Sequence, residues 1–142
     1  MAFRGAKLVP ELLVRDISAS LGFWVDTCGF SVAYERRDEG FVYLDLDGAQ
    51  IMLEELGHGR NWITSMLDAP LGRGVNFQVA VSDVQPLLVR LRASGCSLFM
   101  EPEDKWYRRG GVESGVRQFL VQDPDGYLIR FQASLGSRSV SG

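Results

Sequence analysis

The chain has a single histidine, His58, and only two cysteines, Cys28 and Cys96, in 142 residues. One histidine excludes any metal site that needs two imidazoles from the same chain. Both cysteines adjoin apolar segments, so we interpret them as small buried side chains and not as a disulfide. So few cysteines fit a reducing compartment, and we expect the protein to act in the cytoplasm.

Long apolar runs and an excess of basic residues are also missing. No stretch reaches the length of a membrane-spanning helix, and the N-terminus lacks the apolar segment of a secretion signal. The net charge is −3 and no basic stripe is evident, so neither a membrane nor a nucleic acid is an expected partner. The hydrophobic fraction of 46% and the charged fraction of 23% are typical of a globular protein, and we predict one domain over residues 1–142.

The stretch 122–131 carries the most specific local pattern in the chain. Asp-Pro-Asp-Gly at 123–126 combines a proline with preset φ and a final glycine that tolerates positive φ, which favours a tight turn. Apolar runs flank this turn, so the stretch predicts a β-hairpin. In the second strand Ile129 and Phe131 share one face and Arg130 lies on the other, which leaves one apolar and one charged face.

Two similar segments follow one another along the chain. Val-Arg-Asp-Ile at 14–17 resembles Val-Ser-Asp-Val at 81–84, and Asp-Gly at 47–48 resembles Asp-Gly at 125–126. Each copy predicts a strand, a helix capped by the aspartate, and three further strands. The sequence therefore predicts an α+β fold of two βαβββ modules, with a helix on one face of each sheet and curved mixed sheets that enclose a cavity.

The predicted modules have unequal lengths and are joined by a loop. The first spans residues 7–56 and the second spans residues 75–134. The inter-module loop at 57–74 is expected to contain a short helix at 61–67. The end of the chain at 135–142 is rich in serine and glycine, which predicts a flexible tail.

Strand alternation assigns side chains to the face of each sheet that its helix leaves uncovered. The more apolar face of each strand should lie under the helix, so the opposite face should line the cavity. We expect Arg130 to pair there with Glu54 or Glu11, because an unpaired buried guanidinium would be costly. The predicted lining suits a polar ligand and consists of Glu11, Met52, Glu54, Asn76, Gln78, Arg130 and Gln132.

Aromatic residues in the two longest predicted loops are candidates for the walls of a binding site. Trp62 lies in the inter-module loop, and Trp106 and Tyr107 lie in a predicted loop at 101–115. The alternative for Trp106 and Tyr107 is packing onto their own sheet, and the sequence leaves both interpretations open. Trp24 falls on an apolar helical stripe, so we assign it to the core.

The paired modules, the strand–aspartate–helix openings and the Asp-Pro-Asp-Gly-Tyr hairpin resemble the vicinal-oxygen-chelate superfamily over residues 7–134. That superfamily includes glyoxalase I, extradiol dioxygenases and bleomycin-resistance proteins. For its enzymes, the resemblance implies metal ligands on the first and fourth strand of each module. The corresponding positions hold residues that do not suit a divalent ion, namely Val9, Met52, Asn76 and Arg130.

Because its metal-ligand positions are unsuitable, the sequence resembles the bleomycin-resistance branch of the superfamily, which lacks a metal site. The resemblance implies a protein without metal or cofactor that catalyses no reaction and sequesters a cationic glycopeptide between two subunits of a homodimer. We therefore expect a small-molecule ligand of the bleomycin type. The predicted site has Glu11, Met52, Glu54, Asn76, Gln78 and Arg130 as its floor and Trp62, Trp106 and Tyr107 as its walls.

Two alternatives stay open. The segment 105–109 adds three cations, which fits an anionic ligand better than cationic bleomycin. The competing hypothesis is a glyoxalase-like lyase or isomerase, with a relocated metal site at Glu11 and Glu54 or with Glu11 as a general base. Apolar neighbours would raise the pKa of Glu11, but a nearby Arg130 would lower it, so we rank the enzyme second.

Overall fold

The computed structural model describes residues 3–140, which form two compact units. The first unit contains the residues up to Leu71 together with Asp123–Gly126, and the second contains Gly72–Gln122 and the residues from Tyr127 onward. Each unit has one four-stranded mixed sheet and one α-helix. The predicted α+β fold of two βαβββ modules is confirmed.

The first unit follows the predicted order of elements. A π-helical turn at Gly22–Thr27 continues the helix, and a 3-10 turn at Arg37–Glu39 precedes the third strand. The sheet order is β1-β4-β3-β2, in which β1 is parallel to β4 and the other pairs are antiparallel. The elements are β1 (Glu11–Val14), α1 (Ile17–Leu21), β2 (Ser31–Arg36), β3 (Phe41–Leu46) and β4 (Ala49–Glu55).

The second unit repeats this topology with longer strands. Its sheet order is β5-β8-β7-β6, in which β5 is parallel to β8 and the other pairs are antiparallel. The elements are β5 (Asn76–Ala80), α2 (Gln85–Ala93), β6 (Leu98–Arg109), β7 (Val112–Gln122) and β8 (Leu128–Ser139).

Short polar residues fix the ends of the elements in the first unit, as the sequence predicts. The Asp16 carboxylate caps α1 by accepting from the backbone N–H groups of Ser18 at 3.0 Å and Ala19 at 3.3 Å. Asp47 and Gly48 adopt φ values of 50° and 93°, the left-handed conformations that a two-residue hairpin turn between β3 and β4 requires.

One face of each sheet is apolar and buried, as alternation predicts. In the second unit α2 buries Leu87, Leu88 and Leu91, and the strands contribute Val79, Phe119, Ile129 and Phe131. In the first unit the buried set includes Leu12, Val14, Trp24, Leu44 and Leu53. The assignment of Trp24 to the core is confirmed, since its side chain has no exposed surface and its indole Nε1 donates to Asp123 at 3.2 Å.

The two cysteines differ in burial. Cys28 is buried, as predicted, whereas Cys96 is only half-buried, and the two do not form a disulfide. None of the helices in residues 3–140 is long and apolar enough to cross a membrane.

The region predicted as a loop at 101–115 is instead part of a long β-hairpin. Strand β6 continues to Arg109, a turn follows at Gly110 and Gly111, and β7 begins at Val112. Strand β8 also continues beyond the predicted module, and its residues from Gly136 to Ser139 pair with the start of β7.

Two further predictions about irregular segments are wrong. The flexible tail predicted at 135–142 is a strand as far as Ser139, and its residues 141 and 142 lie outside the described residues. The short helix expected at 61–67 is also wrong, because no helix lies between β4 and β5 in the part of the chain that the structure describes.

Candidate ligand-binding site

The polar face of the second sheet is set by the register of its strands. Gln78 on β5 lies opposite Arg130 on β8, and Gln132 on β8 lies opposite Gln118 on β7. Because successive side chains of a strand alternate between faces, these polar residues lie opposite to the buried Val79 and Phe131. The apolar side chains under α2 therefore fix which polar side chains face away from it.

The β6–β7 hairpin adds a second group of side chains to this polar face. Tyr107 lies opposite Ser114 across the hairpin, and Arg109 follows Tyr107 by two residues on the same strand, hence on the same face. Together the two groups line a cavity of about 330 Å³. Its lining consists of Gln78, Tyr107, Arg109, Ser114, Val116, Arg130 and Gln132.

Hydrogen bonds hold three of these side chains in place and leave two polar atoms without partners. Arg130 Nη2 donates to Gln78 Oε1 at 3.0 Å. Gln118 Nε2 donates to the Tyr107 hydroxyl at 2.7 Å and to Glu103 Oε1 at 3.1 Å. Arg130 Nε and Gln118 Oε1 are both buried and have no hydrogen-bond partner. The whole Gln118 residue is only 3% exposed. Such atoms are costly to bury unless something binds to them.

The first unit presents a different, acidic face. Its register places Glu11 opposite Met52 and Leu13 opposite Glu54, so the two carboxyl groups lie on the same face. Burial raises the pKa of Glu11 above its ordinary value, and the negative charge and hydrogen bond of Glu54 raise it further. The Arg36 guanidinium acts in the opposite direction and lowers it.

Gln50 connects the start of the chain to this acidic face. Its Oε1 accepts from the Tyr43 hydroxyl at 2.6 Å and from the Ala6 backbone N–H at 2.7 Å, while Nε2 donates to the Arg4 carbonyl at 2.9 Å and to Asp45 at 2.8 Å. Burial raises the pKa of the Tyr43 hydroxyl. A cavity of about 520 Å³ adjoins this network and is lined by Phe3, Arg4, Ser31, Ala33, Asp45, Gly48 and Gln50.

The residues predicted from the sequence have different positions in the structure. Gln78, Tyr107 and Arg130 line the cavity of the second unit, whereas Asn76 is exposed outside it. Glu11, Met52 and Glu54 share the polar face of the first sheet. Trp62 is 75% exposed in the segment between β4 and β5.

Trp106 follows the alternative that the sequence left open. Its ring lies against Gly115 on the paired strand, and the Arg138 guanidinium lies 4.1 Å from the ring centroid. By alternation, Trp106 is on the face of the hairpin opposite to Tyr107. The expected partner of Arg130, Glu54 or Glu11, belongs to the other unit and stays a prediction, while within its own unit Arg130 bonds to Gln78.

Several residues of the cavity were not predicted as site residues. The sequence does not identify Arg109, Ser114 and Val116, because it predicts a loop at 101–115, where strand alternation cannot be applied. The sequence does contain one indication of a hairpin turn, which is the pair Gly110-Gly111 between the segments 98–109 and 112–122. Gln118 was missed because it lies among the apolar residues of β7, although it is the side chain that holds Tyr107.

Comparison with known proteins agrees with this fold. The family model of the glyoxalase/bleomycin resistance protein/dioxygenase superfamily matches residues 8–131. A bleomycin resistance protein of Geobacillus stearothermophilus is 27% identical over 135 residues, which cover 87% of this chain and 92% of that protein. TioX from Micromonospora sp. ML1 is 25% identical, with a TM-score of 0.70 over 92% of this chain and 100% of that chain. A superfamily member from Vibrio splendidus 12B01 is 46% identical over 89% of this chain and 97% of that chain, with a TM-score of 0.42.

The chain therefore belongs to the glyoxalase/bleomycin resistance protein/dioxygenase superfamily. The metal positions implied by this family do not fit a divalent ion here. The register places Glu11, and not Val9, opposite Met52, and places Gln78, and not Asn76, opposite Arg130. The paired groups are thus a carboxylate with a thioether and an amide with a guanidinium. Residues 3–140 contain no group of three or more His, Cys, Asp or Glu side chains that could hold a metal ion.

Proposed function

We propose that the protein is a metal-free binding protein of the bleomycin-resistance type, which sequesters a small drug-like molecule without converting it. The observation that carries this proposal is the cavity of about 330 Å³ in the second unit. Its size lies at the lower end of the range for small-molecule pockets, and one of its lining side chains, Arg130, has a donor that the protein itself leaves unused. A protein that only needed a stable sheet would gain by pairing this donor.

The proposed binding residues are given for each unit by itself. Trp106 is left out because its ring already packs on the opposite face of the hairpin. We further propose that the protein is a cytoplasmic homodimer that binds its ligand in a crevice between the two subunits. The proposed binding residues of the first unit are Glu11, Met52, Glu54 and Trp62, and those of the second unit are Asn76, Gln78, Tyr107 and Arg130.

Titration calorimetry with bleomycin, both metal-free and copper-loaded, tests the proposal on metal-stripped protein. We expect saturable binding at one site per subunit, weakened by Tyr107→Ala and by Trp62→Ala, with the drug recovered unchanged. The matched control is Trp106→Phe, which keeps an aromatic ring against Gly115 on the other face of the same hairpin and should leave binding unchanged. Chemical conversion of the drug, or equal loss of binding in the Trp106→Phe variant, would contradict the proposed site.

Sedimentation equilibrium tests the homodimer independently of any ligand. The expected mass is twice the 15.8 kDa of one chain. A single species of 15.8 kDa at micromolar concentration would overturn the dimer crevice while leaving a site within one subunit possible.

One observation favours a second candidate, a glyoxalase-like lyase or isomerase that uses Glu11 as a general base. The pKa of the Glu11 carboxyl is raised, first by burial and then by Glu54, and a raised pKa makes a carboxylate a stronger base. Turnover of the hemithioacetal of methylglyoxal and glutathione by metal-stripped protein, lost in Glu11→Gln, would establish this activity. If no turnover occurs and bleomycin binds without being changed, only the binding function remains supported.

A further inference from the structure

We propose that the cavity of the second unit is a carboxylate-binding subsite, in which Arg130 and Arg109 hold the acid group of an aromatic or apolar organic acid. This inference rests on the proposed function and names the chemical class of its ligand. It also departs from a cationic ligand such as bleomycin, because it assigns the charge of the bound group from the cavity itself.

The first argument is the unused donor of Arg130. Its Nη2 is bonded to Gln78 at 3.0 Å, which fixes the plane of the guanidinium, while its Nε is buried and has no partner. A planar guanidinium with a free N–H is pre-organised for a carboxylate oxygen, because both groups are flat and their hydrogen bonds are charge-assisted. A neutral acceptor would satisfy Nε but would leave the positive charge unbalanced.

The second argument is the charge of the lining. Arg109 and Arg130 both contribute cations, and none of the described residues that line the cavity is an acid. Lys105 lies two residues before Tyr107 on the same strand, so alternation puts a third cation on this face. The neighbouring acid is Glu103, whose Oε1 accepts from Gln118 Nε2 at 3.1 Å. One carboxylate against three cations leaves the face positive, which favours an anion.

The third argument concerns the rest of the ligand. Val116 and the Tyr107 ring supply apolar surface beside the guanidinium groups, and Tyr107 is held in place by Gln118 at 2.7 Å. An organic acid with a flat apolar body matches these features.

The test uses benzoate and benzamide, which have nearly the same size and shape but differ in charge. Binding is followed on the intact protein by the 15N-arginine side-chain spectrum, in which the Nε–H signal of Arg130 is assigned by its loss in Arg130→Gln. We expect benzoate to shift this signal and to bind at least about tenfold more tightly than benzamide. Higher salt should weaken benzoate binding, because the site is partly open to solvent.

Arg109 and Arg108 provide the matched pair of variants. They are neighbours on β6 and lie on opposite faces, so Arg109→Gln and Arg108→Gln remove the same charge at nearly the same distance from the turn. We expect Arg109→Gln to weaken benzoate binding several-fold and Arg108→Gln to leave it unchanged. Both side chains are exposed, so neither substitution threatens the fold.

The outcomes separate this inference from the proposed function. Equal affinity for benzamide, no binding of benzoate, or equal losses in the two arginine variants would overturn the carboxylate subsite. If bleomycin nevertheless binds at one site per subunit, the proposed function stands without it. If neither benzoate nor bleomycin binds, both proposals fail.

Discussion

Glu11 and Glu55 show how two glutamates on neighbouring strands of one sheet acquire opposite properties. Burial and the adjacent Glu54 raise the pKa of Glu11. The pKa of Glu55 is lowered, first by the backbone N–H of Ile17, which donates to it at 2.8 Å, and then by His58, whose Nε2 lies 2.7 Å from its other oxygen. Hydrogen bonds to the charged form outweigh desolvation at Glu55, whereas the hydrogen bond between Glu11 and Glu54 acts in the same direction as desolvation.

Carboxyl titration by 13C NMR should therefore resolve the two residues on opposite sides of the ordinary glutamate range. We expect Glu54→Gln to lower the pKa of Glu11, because the substitution removes a negative charge that disfavours ionisation. The Glu55 titration is the internal control and should not move. An unchanged Glu11 titration in Glu54→Gln would show that burial alone accounts for the shift.

The same shift has a defined effect on stability. Since the folded state binds the Glu11 proton more tightly than the unfolded state, its contribution is fully present below the ordinary carboxyl pKa and is lost as the pH rises through the raised pKa. Glu55 acts with the opposite sign, and its contribution is lost as the pH falls through its lowered pKa. Between the ordinary carboxyl pKa and the raised pKa of Glu11, the stability contributed by Glu11 declines as the pH rises. Glu11→Gln should remove this decline.

At the scale of elements, the β6–β7 hairpin depends on one close approach between strands. A Cβ built on Gly115 would lie 2.7 Å from the ring of Trp106, which is itself covered by Arg138. Glycine at this position is required by the ring above it and not by its backbone conformation, since its φ is not in the left-handed region. The hairpin is thus stabilised by the Trp106 ring, which packs directly on the backbone of Gly115.

Gly115→Ala should destabilise the protein by about 1–3 kcal/mol, because the added methyl group forces the Trp106 ring to move. The matched control is Gly111→Ala, four residues earlier, where a Cβ meets nothing within 4 Å and where the effect should stay within about 0.5 kcal/mol. Urea unfolding measures both changes, and the indole fluorescence of Trp106 should change only in Gly115→Ala. Equal stability of the two variants would contradict this packing.

Two strands of the first unit agree well with the sequence because they flank a clear turn. Strands Phe41–Leu46 and Ala49–Glu55 are both rich in apolar residues and lie on either side of the Asp47-Gly48 pair, which indicates a hairpin. The ends of β6, β7 and β8 were missed because neither of their faces is fully buried, so apolar and polar residues do not alternate along them. Backbone pairing, which leaves no pattern in the sequence, forms these parts of the strands.

The residues of the candidate site could be predicted only where the sequence also predicts the strand that carries them. Gln78 and Arg130 were found because each lies on a strand whose other face is buried. Arg109 and Ser114 lie on the missed hairpin, and the hydrogen bond from Gln118 to Tyr107 links residues whose spatial proximity depends on the register. A register shift of one residue would have reversed every one of these assignments.

At the scale of the whole molecule, the chain passes between the two units more than once. After β7 it contributes Asp123–Gly126 to the first unit and then returns to the second unit for β8. Asp125 is 3% exposed and accepts from Arg15 Nε at 2.8 Å and from the Arg15 backbone N–H at 3.2 Å. The turn that closes the β7–β8 hairpin is therefore held by interactions of the first unit.

Asp125→Ala should destabilise the protein by about 2–3 kcal/mol, because it removes charge-assisted hydrogen bonds from a buried carboxylate. Asp104→Ala is the matched control, since Asp104 also accepts from an arginine Nε at 2.8 Å but is 47% exposed, and it should destabilise the protein much less than Asp125→Ala. Hydrogen exchange measures both units at once. Because the turn belongs to one unit and its flanking strands to the other, amides of β4 and of β8 should both exchange faster in Asp125→Ala. Faster exchange in β4 with unchanged protection in β8 would show instead that the two units unfold independently.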